Sequence, residues 1–201
     1  MADVTGIVLT GGRSSRMGQE KASLVLGGST LLDRTVAALN AVADDIVIVR
    51  APGQSLPLVR STGSLTVVAD PVEGVGPLAG IATGLAASSA DVVLVVGVDH
   101  PFLRPPLLRL LVERVRAGAP WAIPELEGHL QPMCSALSRA ALDGIRAQLE
   151  AGERSPVTVA RAIGAAVVTE SEWRPADPEA LSFVDVDTPE DFDAARQRLV
   201  R

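Results

Sequence analysis

Chemistry is concentrated near the amino terminus, in the string Leu9-Thr10-Gly11-Gly12-Arg13-Ser14-Ser15-Arg16-Met17-Gly18-Gln19-Glu20-Lys21. Paired glycines let main-chain N–H groups come close to a phosphate, because no Cβ stands in the way. Arg13, Arg16 and Lys21 put three cations on this short stretch of a chain whose net charge is −6. That contrast suits a polyanion such as a triphosphate or pyrophosphate. A solvated turn with incidental basic residues is the plain alternative. Two familiar phosphate loops do not fit. A Walker A loop needs lysine directly after its second glycine, and Gly18 is followed by Gln19. A dinucleotide fingerprint opens a helix at once, whereas about ten polar residues follow here.

Carboxylates supply the second half of the chemistry. Asp99 stands just past the apolar block Val92-Val93-Leu94-Val95-Val96, at its carboxyl end. Ligands of open parallel sheets bind along that edge. One carboxylate there, followed by the rigid Pro101, suits Mg²⁺, which takes one or two carboxylates together with phosphate oxygens. The alternative is an aspartate that merely caps a turn or helix. Asp70 ends another apolar block at the same edge. Asp185 and Asp187 either complete a metal site with Asp99 or cap the closing helix, and the cap is the preferred reading.

Positioning these groups falls to apolar blocks of strand length alternating with amphipathic stretches of helix length. Strands are expected at Val4–Thr10, Asp45–Val49, Ser64–Ala69, Asp91–Gly97, Trp121–Ile123 and His129–Leu137, with Leu181–Val186 strand-like. The unbroken β-branched run after Asp91 indicates a central parallel strand buried on both faces. Helices are expected at Ser29–Val42 with Ser29 or Thr30 as N-cap, at Gly76–Ala87 opening on Pro77, and at Pro105–Ala117. Two more are expected at Ser138–Ala151 and at Pro189–Val200, with Thr188 as N-cap. This alternation implies right-handed crossovers and a parallel sheet with helices on both faces. The Pro-, Gly- and Ser-rich stretch Ala51–Gly63 is either a flap or a plain surface loop.

Composition bounds the rest. The chain has 201 residues, 47% of them hydrophobic, a length that suits one α/β domain. Mean hydropathy is +0.30, yet no apolar run approaches the ~18 residues of a membrane span. Disorder, collagen and coiled coil are excluded. Three phenylalanines, two tryptophans and an acidic balance leave little for reading nucleic acid. The lone Cys134 removes any intrachain disulfide, reads as a small core residue and fits a reducing cytosol. The amino terminus lacks the pattern of a signal peptide, so a cytoplasmic protein is expected.

The pattern LxGGxSxRMGxxK resembles the nucleotidyltransferase signature of the molybdenum cofactor guanylyltransferases (molybdopterin-guanine dinucleotide synthases). The resemblance recurs at Gly76-Pro77-Leu78-Ala79-Gly80, at Asp99-His100-Pro101-Phe102-Leu103 and at Asp187-Thr188-Pro189-Glu190-Asp191. It implies a three-layer, doubly wound, mostly parallel, Rossmann-like fold in one domain over 1–201. The nucleotide-binding part would span about 1–104 and the acceptor-binding part about 105–201. The implied reaction transfers GMP from GTP to molybdopterin with Mg²⁺ and releases pyrophosphate. Leu9, Thr10, Gly11, Gly12, Asp70 and Gly80 would then contact the nucleotide. Lys21 would lie on the phosphates as an exposed side chain whose removal leaves folding unchanged; Arg16 would assist it, and Asp99 would hold the metal. Arg13 is as readily a rim residue.

Departures from the family pattern are specific. Arg50 stands where an asparagine is common, so that nucleotide contact is in doubt and Arg50 is free to serve phosphate. Asp185 and Asp187 replace frequent asparagines, a variant that also resembles cytidylyltransferases. His100 departs from the usual residue and receives no role. His129, Gln131 and Pro132 fall where acceptor-binding residues lie, though a lone histidine is more often a surface residue; Glu73 reads as solvent-exposed. The alternatives are a CTP-dependent molybdopterin cytidylyltransferase, another transferase using an NTP and a phosphorylated acceptor, and a non-catalytic nucleotide-binding module. No nucleic-acid or membrane partner is expected. Transient contact with proteins that deliver or accept the cofactor, and a monomer or small homo-oligomer, are compatible with the resemblance.

Overall fold

Strand β1 (Val4–Leu9) lies at the centre of the sheet, with β4 (Asp45–Arg50) on one side and β6 (Val92–Gly97) on the other, all parallel. The computed structural model describes residues 3–11, 20–71 and 76–199. The other strands are β2 (Val25–Leu26), β3 (Ser29–Thr30), β5 (Leu65–Ala69), β7 (Trp121–Leu126), β8 (His129–Leu130), β9 (Cys134–Ser138) and β10 (Ala166–Val168). The main sheet runs β10-β7-β9-β6-β1-β4-β5, with β8 paired to β7, and β2 and β3 form a separate ribbon. β9 is antiparallel to both β6 and β7, so the sheet is mixed although mostly parallel. The expectation of a purely parallel neighbourhood for β6 is corrected at that one edge.

Every residue of β1 and β6 is buried, because helices cover both faces. Alternation along the strands sorts the core. Val4, Val8, Leu94 and Val96 join the cluster that contains α1 (Leu31–Leu39) and α3 (Pro105–Arg116). Ile7, Leu9, Val93 and Val95 face α2 (Pro77–Ala87) and α4 (Ala141–Glu150). Gly84 lets α2 settle onto β1: a Cβ there would lie 2.6 Å from Ile7 Cδ1. Thr30 opens α1 through a reciprocal capping box with Asp33. The last helix, α7 (Pro189–Arg198), opens the same way through Thr188 and Asp191.

Several elements differ from expectation. The stretch Leu181–Val186 is not a strand: Leu181–Phe183 forms a 3₁₀ turn, because Asp177 accepts hydrogen bonds from the main-chain N–H of Leu181 (3.0 Å) and Ser182 (2.7 Å). The expected strand His129–Leu137 is broken between β8 and β9. Helices α5 (Pro156–Ala162) and α6 (Glu170–Trp173) and strand β10 were not anticipated. No helix among the described residues is long and apolar enough to cross a membrane.

Candidate active site

Main-chain hydrogen bonds carry the sheet's register past the ends of its strands. Val98 N–H donates to the Leu9 carbonyl (3.1 Å), Thr10 N–H to Val49 (2.9 Å) and Asp70 N–H to Arg50 (2.8 Å). Thr10, Asp70 and Asp99 are therefore aligned along one edge, the carboxyl end of four neighbouring parallel strands. α2 starts beside them. A Cβ on Gly80 would lie 3.3 Å from Leu9 Cδ2 and 3.8 Å from Asp70 Oδ2, so these three residues form one wall. Leu9, Thr10, Gly11, Asp70 and Gly80 thus gather as the sequence suggests. Gly12, Arg13, Arg16 and Glu73 lie outside the described residues.

Lys21 and Asp99 meet directly. Lys21 Nζ donates to Asp99 Oδ2 at 3.1 Å and also to Asp187 Oδ1, so one ammonium bridges two carboxylates. The Lys21 side chain is only 15% exposed, against 27% for Asp99 and 49% for Asp187. Desolvation alone would lower its pKa, but the hydrogen bonds and charges of Asp187 and Asp99 outweigh burial and raise it. This corrects the expectation of an exposed lysine without structural partners. It also corrects the preference for Asp185 and Asp187 as helix caps. Thr188 and Asp191 cap α7, while the Asp187 side chain reaches Lys21. Asp185 is exposed at the rim; desolvation, then the charges of Asp187 and Asp99, raise its pKa, against a lowering by His100.

Asp99 is braced from behind. Val186 N–H donates to the Asp99 carbonyl (3.0 Å), tying the 177–187 segment to the end of β6. The buried His100 ring donates from Nδ1 to the Ser182 carbonyl (3.0 Å), and its Nε2 lies 3.8 Å from Asp99 Oδ1. Arg104 N–H donates to Ser182 Oγ (2.9 Å). His100 was singled out in the sequence but given no role, and Asp177 and Ser182 were not singled out, because a lone polar residue carries no pattern; what marks all three is their burial, which only the fold shows.

Other singled-out residues have local roles. Arg50 Nη1 donates to the carbonyls of Gln54 (3.0 Å) and Ala51 (3.4 Å). Exposed His129 bonds the Glu127 carbonyl through Nδ1 (2.9 Å), within its own hairpin. Cys134 is fully buried, and burial pushes its thiol pKa up to about 12, an inert core group. Among the described residues no three His, Cys, Asp or Glu side chains form a metal cluster. Asp99 and Asp187 nevertheless converge on one cation position, that of Lys21 Nζ, and offer only oxygen donors. A pair of carboxylates completed by phosphate oxygens fits Mg²⁺.

The lysine shared by two carboxylates stands on the ligand-binding edge of a mostly parallel sheet, and the class of protein, a nucleotidyltransferase, follows from the family match. The MobA-like NTP transferase domain model matches residues 6–189, and the chain belongs to that family. It is 33% identical to the probable molybdenum cofactor guanylyltransferase of Pelotomaculum thermopropionicum, over 98% of this chain and 93% of that one. A molybdenum cofactor guanylyltransferase of Desulfosudis oleivorans is 29% identical over 97% and 95% of the two chains. In structure the chain resembles molybdopterin-guanine dinucleotide biosynthesis protein A from Archaeoglobus fulgidus, with a TM-score of 0.79, 23% identity and 98% coverage of both chains. It also resembles 2-C-methyl-D-erythritol 4-phosphate cytidylyltransferase from Thermus thermophilus, with a TM-score of 0.72, 21% identity and coverage of 97% and 98%. The Rossmann-like fold is common to both.

Proposed function

We propose that this chain transfers GMP from GTP to molybdopterin and releases pyrophosphate, as a cytoplasmic step of molybdenum cofactor synthesis. The observation that carries the reading is the meeting of Lys21, Asp99 and Asp187 beside the Leu9–Asp70–Gly80 wall, in a chain similar along its length to guanylyltransferases. The wall and the Thr10–Gly11 backbone take the nucleoside. Lys21 exchanges its carboxylate contacts for the triphosphate. Residues up to about 104 hold the nucleotide, and the later part, tied in through Val186 and Asp187, presents the acceptor.

An acceptor phosphate oxygen attacks the α-phosphorus, the bond to the bridging oxygen of the β-phosphate breaks, and pyrophosphate leaves with that electron pair. Lys21 neutralises charge developing on the leaving group. Holding the two phosphates in line supplies much of the remaining acceleration. Asp99 and Asp187 would hold Mg²⁺, which when bound neutralises phosphate charge during displacement. No covalent enzyme intermediate is required.

Incubation with each NTP, Mg²⁺ and molybdopterin, followed by identification of the dinucleotide, tests the reading. The expected product is molybdopterin-guanine dinucleotide. A cytosine dinucleotide, in keeping with the resemblance of the Asp185-Val186-Asp187 variant to cytidylyltransferases, moves the assignment to that branch. No dinucleotide with any base refutes it.

A further inference from the structure

Lys21 and Asp99 are carried by two separate stretches of chain. Lys21 opens a 3₁₀ turn, Lys21–Ser23, that leads into β2 and is fastened to α1. Leu24 N–H donates to the Lys21 carbonyl (3.1 Å), and Leu31 N–H, at the start of α1, donates to the Leu24 carbonyl (2.9 Å). Ala22 and Leu26 are fully buried and anchor this stretch in the core. Asp99 belongs instead to the connection from β6 to α3. One side chain on α1 crosses from the first stretch to the second. Arg34 Nε donates to the carbonyl of Pro101, two residues past Asp99, at 3.1 Å. Its Nη1 lies 3.5 Å from the Leu26 carbonyl in β2, and its Cζ is 5.5 Å from the centre of the Phe102 ring. The planar guanidinium suits this work, since it serves acceptors in two directions while lying on an aromatic face. Burial lowers its pKa from the ordinary 12.5, yet arginine stays charged at neutral pH, so both carbonyl contacts are charge-assisted.

We propose that Arg34 is a positioning residue for nucleotidyl transfer: it holds the stretch that carries Lys21 and the turn that carries Asp99 at a fixed spacing, so that both act on one triphosphate. The proposal rests on the nucleotidyltransferase reading above. Arg34 reaches neither group itself; its hydrogen bonds go to the main-chain carbonyls of Leu26 and Pro101. In the ground state Lys21 meets phosphate, and Asp99 the metal it would hold, each independently of the other. Stabilising the charge that develops during displacement requires both in place at once. A fault in their spacing is therefore read in kcat rather than in affinity, and a misplacement of about 1 Å is enough to cost much of the rate.

Arg34→Met keeps a helix-forming apolar stem and removes every donor. The expected result is a fall of about tenfold in kcat per folded molecule for dinucleotide formation, with the Kd of GTP·Mg²⁺ by calorimetry within about threefold of wild type. Arg34→Lys offers the Pro101 carbonyl a charged donor but cannot also span to Leu26, so its kcat should lie between the two. A melting cycle of wild type, Arg34→Met, Lys21→Met and the double variant reads the spacing with no ligand present. Arg34 and Lys21 have no hydrogen-bond partner in common, so independent effects on Tm would add. The Tm loss from Lys21→Met should instead shrink to about half in the Arg34→Met background, because the ion pair it removes is already loosened. Additive Tm losses, a normal kcat in Arg34→Met, a loss confined to GTP affinity, or Arg34→Lys no better than Arg34→Met would each overturn the positioning role and leave the reaction assignment standing. Wild type that forms no dinucleotide with any base would overturn the reaction assignment, and the positioning of that reaction would fall with it.

Discussion

Replacing Lys21 with methionine keeps most of the apolar stem and removes only the charge. At 3.1 Å from Asp99 Oδ2, a unit ion pair in an effective dielectric of about 20 gains roughly 5 kcal/mol by Coulomb's law. Most of that is offset by desolvation of the ammonium and by ordering a long side chain. The Asp187 arm, with that carboxylate 49% exposed, adds the modest amount of a surface pair. A net loss of ~1–2 kcal/mol is therefore expected for Lys21→Met, or about 2–8 °C in Tm for a domain of this size. The sign with pH follows from the raised Lys21 pKa. The contribution is fully present below the ordinary lysine value of 10.5 and is lost only as pH rises through the higher folded value, so it is intact at neutral pH. Millimolar Mg²⁺ should recover part of the loss in the variant, whose two carboxylates face each other without a cation, and should move wild type little. Melting curves of both proteins with and without Mg²⁺ are the assay. A variant that melts at the wild-type temperature would refute the bridge. A depressed Tm that Mg²⁺ leaves untouched would refute a shared cation position.

GTP with Mg²⁺ should stabilise the protein by about 2.7 kcal/mol at a hundred times its dissociation constant, and more than CTP or ATP at equal concentration; a larger thermal shift with CTP would reverse the base assignment. Asp99→Asn should cut turnover about 10²–10³-fold with Tm near wild type, because asparagine still accepts from Lys21 and keeps the main-chain bond from Val186. Early melting with normal turnover per folded molecule would make Asp99 a scaffold residue only. Asp185→Asn should raise Tm slightly at pH 7. Its raised pKa means the folded state penalises the ionised form, so the gain is present above the raised value and vanishes as pH falls below the ordinary 3.8. Solvent screening holds that gain to roughly 0.5 kcal/mol, and a loss of stability at pH 7 would contradict it.

The central sheet was legible because burial on both faces demands long apolar runs, and β6 is an unbroken one. α1, α2, α3 and α7 announce themselves by caps or first-turn prolines at Thr30, Pro77, Pro105 and Thr188. The stretch between α4 and residue 173 was not legible, since α5, β10 and α6 are each too short to show a period. Leu181–Val186 misled for a different reason. Its apolar residues favour a strand, but the carboxylate of Asp177, four and five residues earlier, satisfies two of its N–H groups and curls the chain. Strand propensity lost there to a local side-chain-to-backbone hydrogen bond, the turn-forming habit of aspartate.

Residue types at the site were readable; their partners were not. Lys21 is 78 positions from Asp99 and 166 from Asp187, and no spacing rule reaches so far. The pairing changes what the charges imply. In the free protein the lysine assigned to phosphate already neutralises two aspartates. If it leaves them for a triphosphate, Asp99, Asp185 and Asp187 remain as adjacent negative groups beside an incoming polyanion. Like charges crowded at a partly desolvated edge repel strongly, so the exchange requires a second cation to enter as Lys21 departs. A divalent ion arriving on the nucleotide meets that requirement without rearranging the fold. Nucleotide without Mg²⁺ should accordingly bind much more weakly to wild type than the Mg²⁺ complex does. That difference should shrink in a protein carrying Asp187→Asn, whose edge has one charge fewer to neutralise. Calorimetry of GTP with Mg²⁺ and with excess EDTA on the two proteins gives the comparison, and an equal Mg²⁺ dependence in both would show that Asp187 takes no part in the exchange.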